Sequence, residues 1–211
     1  MDSVRIKSVL DVGCGTGTWL KAFEENGISD YLGIDGDYVN KSSLEIPEDK
    51  FVAFDLRQPW DLKRRFDLVI SLEVAEHLPE ESSDLFVEAV VRHSETIIFS
   101  AAIPGQGGQN HLNEQWPDYW QRKFLKHGFY FHDVIRPLIW DNNKVEWWYK
   151  QNIFLLNKEP SKANIHNWVH PDAFKEKAKI INEIFQGKLG IRSSFLIFIN
   201  AIVSKLRFIG T

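Results

Sequence analysis

The chain has little cysteine to work with: Cys14 is the one thiol among 211 residues. A single thiol excludes an intrachain disulfide, and a reducing, cytoplasmic location is expected. Positive charge is also in short supply, with 25 Lys and Arg against 29 Asp and Glu and a net charge of −4. That balance argues against broad electrostatic binding to nucleic acid, and no basic stripe with interleaved aromatics is present. Long apolar runs are missing. The longest uncharged stretch near the C-terminus, Ser193 to Ser204, holds twelve residues, too few for a membrane span and suited to a buried helix. The opening MDSVRIKSVLDVG has no apolar core of a signal peptide, so neither a signal peptide nor an anchor is expected there. Repeats and low-complexity tracts are absent as well.

What is present suits one globular domain with an appendage: 44% hydrophobic and 26% charged residues supply a full core. Short apolar runs recur at 8–13, 31–35, 51–56 and 66–72, and again in ETIIFSAAI. Helical patterns at 18–27 and 81–93 alternate with them, while the connections at 36–50 and 57–65 leave room only for stubs. Such alternation predicts a parallel α/β sheet. A helix over 117–128, with Pro at its first turn and Gly at its end, precedes two late strands, FYFHDVIR and QNIFLL. Residues 1–158 are read as the α/β domain and 159–211 as a helical extension. The extension holds the amphipathic segment HPDAFKEKAKIINEIF and the uncharged run, whose apolar residues would be buried against the core, a membrane surface or, through a homodimer, a second copy.

The first strand runs into D-V-G-C-G-T-G, residues 11 to 17. Glycines at 13, 15 and 17 allow a sharp strand-to-helix turn and expose backbone N–H groups to a ligand. Alone, such a turn is also what a tight structural loop looks like. Its surroundings add weight. Asp11 precedes it, Asp35 ends the second predicted strand where it can accept two hydrogen bonds from a ribose diol, and Asp55 ends the third, within reach of an adenine amino group. The dinucleotide pattern G-x-G-x-x-G fails at Thr18, which disfavours a nicotinamide-dependent oxidoreductase.

Taken in order, LDVGCGTG, the acid of YLGID, FDL and FDLVISLEVAEHL resemble the motifs of class I S-adenosylmethionine-dependent methyltransferases over roughly residues 8 to 100. The resemblance implies a Rossmann-like, seven-stranded, mostly parallel sheet of order 3-2-1-4-5-7-6 with helices on both faces. It implies that Gly13, Gly15 and Gly17 shape the methionine pocket, that Asp35 holds the ribose, and that Asp55 and Leu56 face the adenine. Leu72 and Glu73, at the end of strand four, would lie beside the cofactor.

SLEVAEH gathers Glu73, Glu76 and His77 within five residues. In the implied strand order strand five is the neighbour of strand four, so the loop after it should bring His111 to the same crevice. Three readings stand side by side. In the first, Glu73 lines the cofactor pocket, Glu76 packs against the glycine loop and His77 is a hydrogen-bonded wall. Alternatively, His77 or His111 takes the proton of an acceptor hydroxyl as general base. In the third reading Glu73, Glu76, His77 and His111 hold a divalent metal, since i, i+3, i+4 spacing shares a face on a helical turn. That last pattern resembles metal-dependent 2'-O-methyltransferases of small-RNA 3' ends, and a related E-x-x-E-H cluster occurs in ubiquinone-biosynthesis O-methyltransferases. The other histidines, His93, His127, His132, His166 and His170, have no such context and are expected at the surface or in structural roles. Loop 103–116, insert 137–150 and the C-terminal region, rich in Trp and Tyr, are left to form an acceptor pocket. The expected function is methyl transfer to a hydroxyl of a small molecule or glycan sugar. Metal-assisted RNA ribose methylation and a non-catalytic cofactor-binding module are the alternatives.

Overall fold

A computed structural model describes residues 6–161 and 165–186; the uncharged run 193–204 lies outside them. Two compact units divide between Trp168 and Val169. In the first, seven strands form one sheet of order β3-β2-β1-β4-β5-β7-β6, the order the resemblance implied. They are β1 (Ser8–Val12), β2 (Asp30–Asp35), β3 (Phe51–Ala53), β4 (Leu68–Leu72), β5 (Thr96–Ser100), β6 (Tyr130–His132) and β7 (Phe154–Asn157). All pairings through β5 are parallel. β7 is antiparallel to both of its neighbours.

The central strands read as continuous apolar runs because both faces of the sheet are covered. Alternate residues divide between two clusters. Leu10, Val12, Val69, Ile97 and Phe99 join one. Val9, Leu68 and Ile70 join the other, against which Ile98 packs. The first cluster is built around aromatic rings, with Phe99 5.1 Å from Phe124 and 5.4 Å from Trp120 between centroids.

The helices include α1 (Thr18–Glu25), α2 (Ser83–His93) and α3 (Pro117–Leu125), as the sequence patterns predict. The connections at 36–50 and 57–65 hold no α-helix, and the first contains only two single 3₁₀ turns. The late region departs from expectation. FYFHDVIR is a strand only at Tyr130–His132, and Arg136 begins a short helix, α4 (Arg136–Ile139). QNIFLL starts as helix: Gln151 and Asn152 end α5 (Trp147–Asn152), and β7 begins at Phe154. The reason is Arg136, fully buried, which forks onto Asp133, donates to the Gln151 carbonyl at 3.1 Å and lies 4.3 Å over the Phe154 ring. A buried guanidinium needs these acceptors, and the helical turns supply them.

The second unit contains α6 (Pro171–Phe185), with His170 accepting from the Asp172 amide as its N-cap. No helix among the described residues is long and apolar enough to cross a membrane.

Candidate functional site

The chain leaves β1 toward β2 on one side of the sheet and later returns to place β4 on the other. That reversal opens a crevice at the carboxyl ends of the strands. A cleft of about 1080 Å³ lies there, lined by Gly13, Gly15, Asp35, Gly36, Tyr38, Asp55, Leu56, Glu73, Val74 and His77, with Gln109 and Asn110 from the loop after β5.

The glycine loop is folded back on β2: the amides of Gly13 and Cys14 both donate to the Ile34 carbonyl, at 2.8 and 3.2 Å. Gly13 has φ +82°, and a Cβ there would lie 2.3 Å from Val74 Cγ2. Gly15, at φ +54°, would point a Cβ into open space with no atom within 4 Å. Gly17 differs from both. It caps α1 at φ +89°, packs against Ile46 and is not part of the cleft wall.

Asp35 sits at the end of β2, buried, with Oδ2 accepting from the Gly15 amide at 2.7 Å and Oδ1 accepting from the Gly36 amide at 2.6 Å and from the Tyr38 hydroxyl. Asp11 lies behind the loop, 2% exposed, and its Oδ2 has no partner. Burial, and then the charge of Asp35, pushes its carboxyl up to about 8. Asp55 stands two residues beyond β3 rather than at its end, with its carboxylate forked by Arg57 at 2.8 Å through both Nε and Nη2. Leu56 is buried in the cleft wall, and Leu72 ends β4 without lining the cleft.

Glu73 adopts φ +56°, unusual for a residue with a Cβ. Its amide donates to Ser100 Oγ at 3.0 Å. Its carboxylate accepts from Gln106 at 2.9 Å and from Asn152 at 3.1 Å on both oxygens. Burial still holds this carboxyl above the usual range. Neither amide donor was among the expected site residues. Asn152 was placed in a strand, and no local pattern announces a contact 79 positions away.

Beyond Glu73 the chain makes one 3₁₀ turn, Ala75–His77. Glu76 points inward and is 0% exposed; both carboxylate oxygens lack partners, while its backbone carbonyl accepts from the amides of Leu112 and Asn113 at 2.8 and 3.0 Å. Burial, and then the charge of Glu73, raises its carboxyl to about 8. Those backbone bonds bring the loop after β5 against the turn. His111 stacks edge-on against His77 with 4.8 Å between centroids. Its Nδ1 lies 2.8 Å from Glu114 Oε1. Burial works to raise the Glu114 carboxyl, but hydrogen bonds from His111 and from the amides of Gly105 and Gly107 outweigh it and hold it low. An ionised Glu114 facing Nδ1 selects, in the neutral ring, the tautomer with its proton on that nitrogen. A Cβ on Gly108 would sit 2.2 Å from the His111 Nε2, so a side chain there would displace the ring. His77 is held below its ordinary value, first by burial and then by His111, although it donates to the Asn110 backbone.

Among the described residues, Glu76, His77 and His111 alone offer ligand atoms that all lie within 4.8 Å of one another. Glu73, expected with them, is engaged instead by Gln106 and Asn152. Of the other histidines, His93 is buried, with Nδ1 2.6 Å from the Ala89 carbonyl and Nε2 accepting from the Leu62 amide at 3.0 Å. Its role is structural, as expected.

Sheet order, glycine turn and strand-end acids together define a class I S-adenosylmethionine-dependent methyltransferase. The chain belongs to the family described as methyltransferase domain, whose model matches residues 4–134. A ubiquinone biosynthesis O-methyltransferase of Rhodopseudomonas palustris (strain TIE-1) is 34% identical over 77 residues, which cover 34% of this chain and 30% of that protein. The chain therefore matches under a third of that relative's length. The sugar N-methyltransferase KedS8 from Streptoalloteichus sp. ATCC 53650 superposes with a TM-score of 0.57 at 15% identity, covering 74% of this chain and 81% of that one. DesVI of Streptomyces venezuelae gives 0.54 at 15% identity over 74% and 85%. At these identities the structural likeness is one of fold.

The residues present fit S-adenosylmethionine, the cofactor of this class. Gly15 leaves its backbone uncovered on the cleft side, and Asp11, with one oxygen unpartnered, stands behind the loop, where a cationic ligand would favour its ionised form.

Proposed function

We propose that this chain transfers a methyl group from S-adenosylmethionine to a hydroxyl oxygen of a small molecule or glycan sugar. The bound cofactor supplies an electrophilic methyl on a sulfonium. The chain's own residues do the rest. Gly13 and Gly15 give the methionine portion close access to backbone, Asp11 answers its ammonium, Asp35 accepts from the ribose hydroxyls, and Asp55 with Leu56 borders the adenine. Glu73 closes the wall just beyond the end of β4, behind Leu72. Residues 1–158 carry this activity and 159–211 are an extension through which two copies associate.

The observation that carries the acceptor chemistry is the His111–Glu114 pair packed on His77. A base oriented by an ionised acid, with no hydrogen bond on its second nitrogen among the described residues and His77 between it and the cleft, suits removal of a hydroxyl proton. Transfer to oxygen is also in keeping with the name of the ubiquinone-pathway relative. His111→Ala should lower kcat by about 10²–10⁴-fold with S-adenosylhomocysteine affinity kept. A screen of hydroxylated acceptors with radiolabelled methyl donor supplies the assay. Full activity of both His111→Ala and His77→Ala would remove the general-base role. Mass spectrometry of ligand released from the denatured protein tests the cofactor directly, and recovery of NAD instead would overturn the assignment.

One observation favours a second reading. Both oxygens of buried Glu76 lack partners beside His77 and His111, and a divalent ion would satisfy them, with Glu114 orienting one imidazole from outside. Metal-assisted methylation of RNA ribose belongs to this reading. Calorimetric titration of chelator-treated protein with Mn²⁺ separates the two: saturable binding lost in Glu76→Gln supports the metal, and no binding supports the base.

A further inference from the structure

Asp35 and Tyr38 carry a consequence for ligand affinity. The hydroxyl of Tyr38 donates to Asp35 Oδ1, the oxygen that also takes the Gly36 amide, while Oδ2 takes the Gly15 amide. The acceptor capacity of this carboxylate is therefore largely engaged by the protein itself. Two of the three donors are backbone amides of the turns that flank β2, and they move only if those turns refold. The third is a side chain that is 80% exposed. Its ring lies across Gly36, where a Cβ would be 2.1 Å from Tyr38 Cε1, so the absence of a side chain at 36 is what admits the ring to this position. Both residues form part of the cleft wall.

We infer that Tyr38 is a displaceable stand-in for the ribose diol, which keeps the carboxylate hydrogen-bonded in the empty cleft and must give way to ligands that carry both hydroxyls, so that it tempers their affinity. The inference rests on the ribose role proposed for Asp35. A phenolic O–H and a sugar O–H are both hydroxyl donors that a carboxylate accepts. With no diol present, Tyr38 keeps the buried carboxylate hydrogen-bonded, which an apolar residue would leave to solvent. A ribose must displace the phenol, and its two hydroxyls return more than the one bond lost. A ligand without the diol has nothing to exchange and leaves the tyrosine where it is.

The test is calorimetry with S-adenosylhomocysteine and its 2',3'-dideoxy analogue on the full chain and on Tyr38→Phe, which keeps the ring and removes the competing donor. The exposure of Tyr38 makes this variant safe for folding. Expected is a gain of about 3- to 10-fold in affinity for S-adenosylhomocysteine, the part of a charge-assisted hydrogen bond that water does not restore, with the dideoxy analogue unchanged. Unchanged or weakened S-adenosylhomocysteine binding in Tyr38→Phe overturns the inference, and so does an equal gain for both ligands. Asp35→Asn, verified as folded by its melting curve, separates the two levels. If it binds S-adenosylhomocysteine as tightly as the native chain, the ribose role of Asp35 fails and this inference with it. If it loses affinity while Tyr38→Phe is silent, the stand-in role alone fails.

Discussion

Glu76 is the residue whose environment departs furthest from its chemistry. A carboxyl with no exposure and no well-formed hydrogen bond on either oxygen favours its protonated form or a cation, because the nearby backbone of Glu76 and Ala102 does not outweigh burial. Its pKa in the folded chain, about 8, stands above the ordinary value the unfolded chain would show. The folded state therefore holds a proton that the unfolded state has already released. Glu76 costs nothing below the ordinary carboxyl range, and stability falls as pH rises from there through about 8. In chelator-treated protein, Glu76→Gln should remove part of this slope. The variant should melt at least about 2–4 °C above the native chain at pH 8, for a difference of ~1 kcal/mol in a domain of this size, and close to it at pH 4. Parallel melting curves across that range would show that Glu76 is not the titrating group. Asp11, raised by the same physics, contributes a second component that this substitution leaves in place.

At the scale of elements, the glycine loop separates fold from function within three positions. Gly13→Ala forces a methyl into Val74 at positive φ and should cost stability, about 1–3 kcal/mol by denaturant titration. Gly15→Ala meets no atom within 4 Å, so its cost to the fold is only that of a left-handed alanine, about 1–2 kcal/mol. Its methyl would project into the cleft instead, and S-adenosylhomocysteine affinity should drop at least about tenfold. Equal ligand affinity in Gly15→Ala and native protein would show that the loop backbone is not in contact with the ligand. The segment from α4 to α5 obeys a different logic, because Arg136 is its core. Arg136→Ala leaves Asp133 uncompensated and should destabilise by about 3–5 kcal/mol, read as a shift in the urea midpoint. These two regions also mark how far the sequence could be read. Strands β1, β2, β4 and β5, the glycine turn and Asp35 were legible because apolar runs and positive-φ glycines are local signals. Gln151 and Asn152 were misplaced in a strand because their conformation follows from burial of Arg136. Gln106, Glu114 and Tyr38 escaped notice as site residues for a related reason. Polar residues in loops take their roles from partners the loop has yet to meet, although Glu114, three residues after His111, left a faint trace.

For the molecule as a whole, the proposed association through residues 159–211 makes a direct claim on mass. Light scattering should give twice the chain mass for the full protein and the single mass, or aggregation, after deletion of 189–211. A full-length monomer with an unchanged soluble truncation would show that the segment is dispensable for assembly. The sheet order has a further consequence, one of timing. β7 lies between β5 and β6, so β6 has no strand to join until the last strand of the sheet has been made and threaded beside β5. Asn152, just ahead of β7, is the donor that grips Glu73 on both oxygens. During synthesis the glycine loop and Asp35 can be in place early, yet the edge of β5 stays open and the Glu73 carboxylate lacks its principal anchor. A nascent chain would thus acquire its nucleoside-binding half before the wall where the methyl acceptor must be held, and it would be most exposed to strand-edge aggregation in the interval between the two.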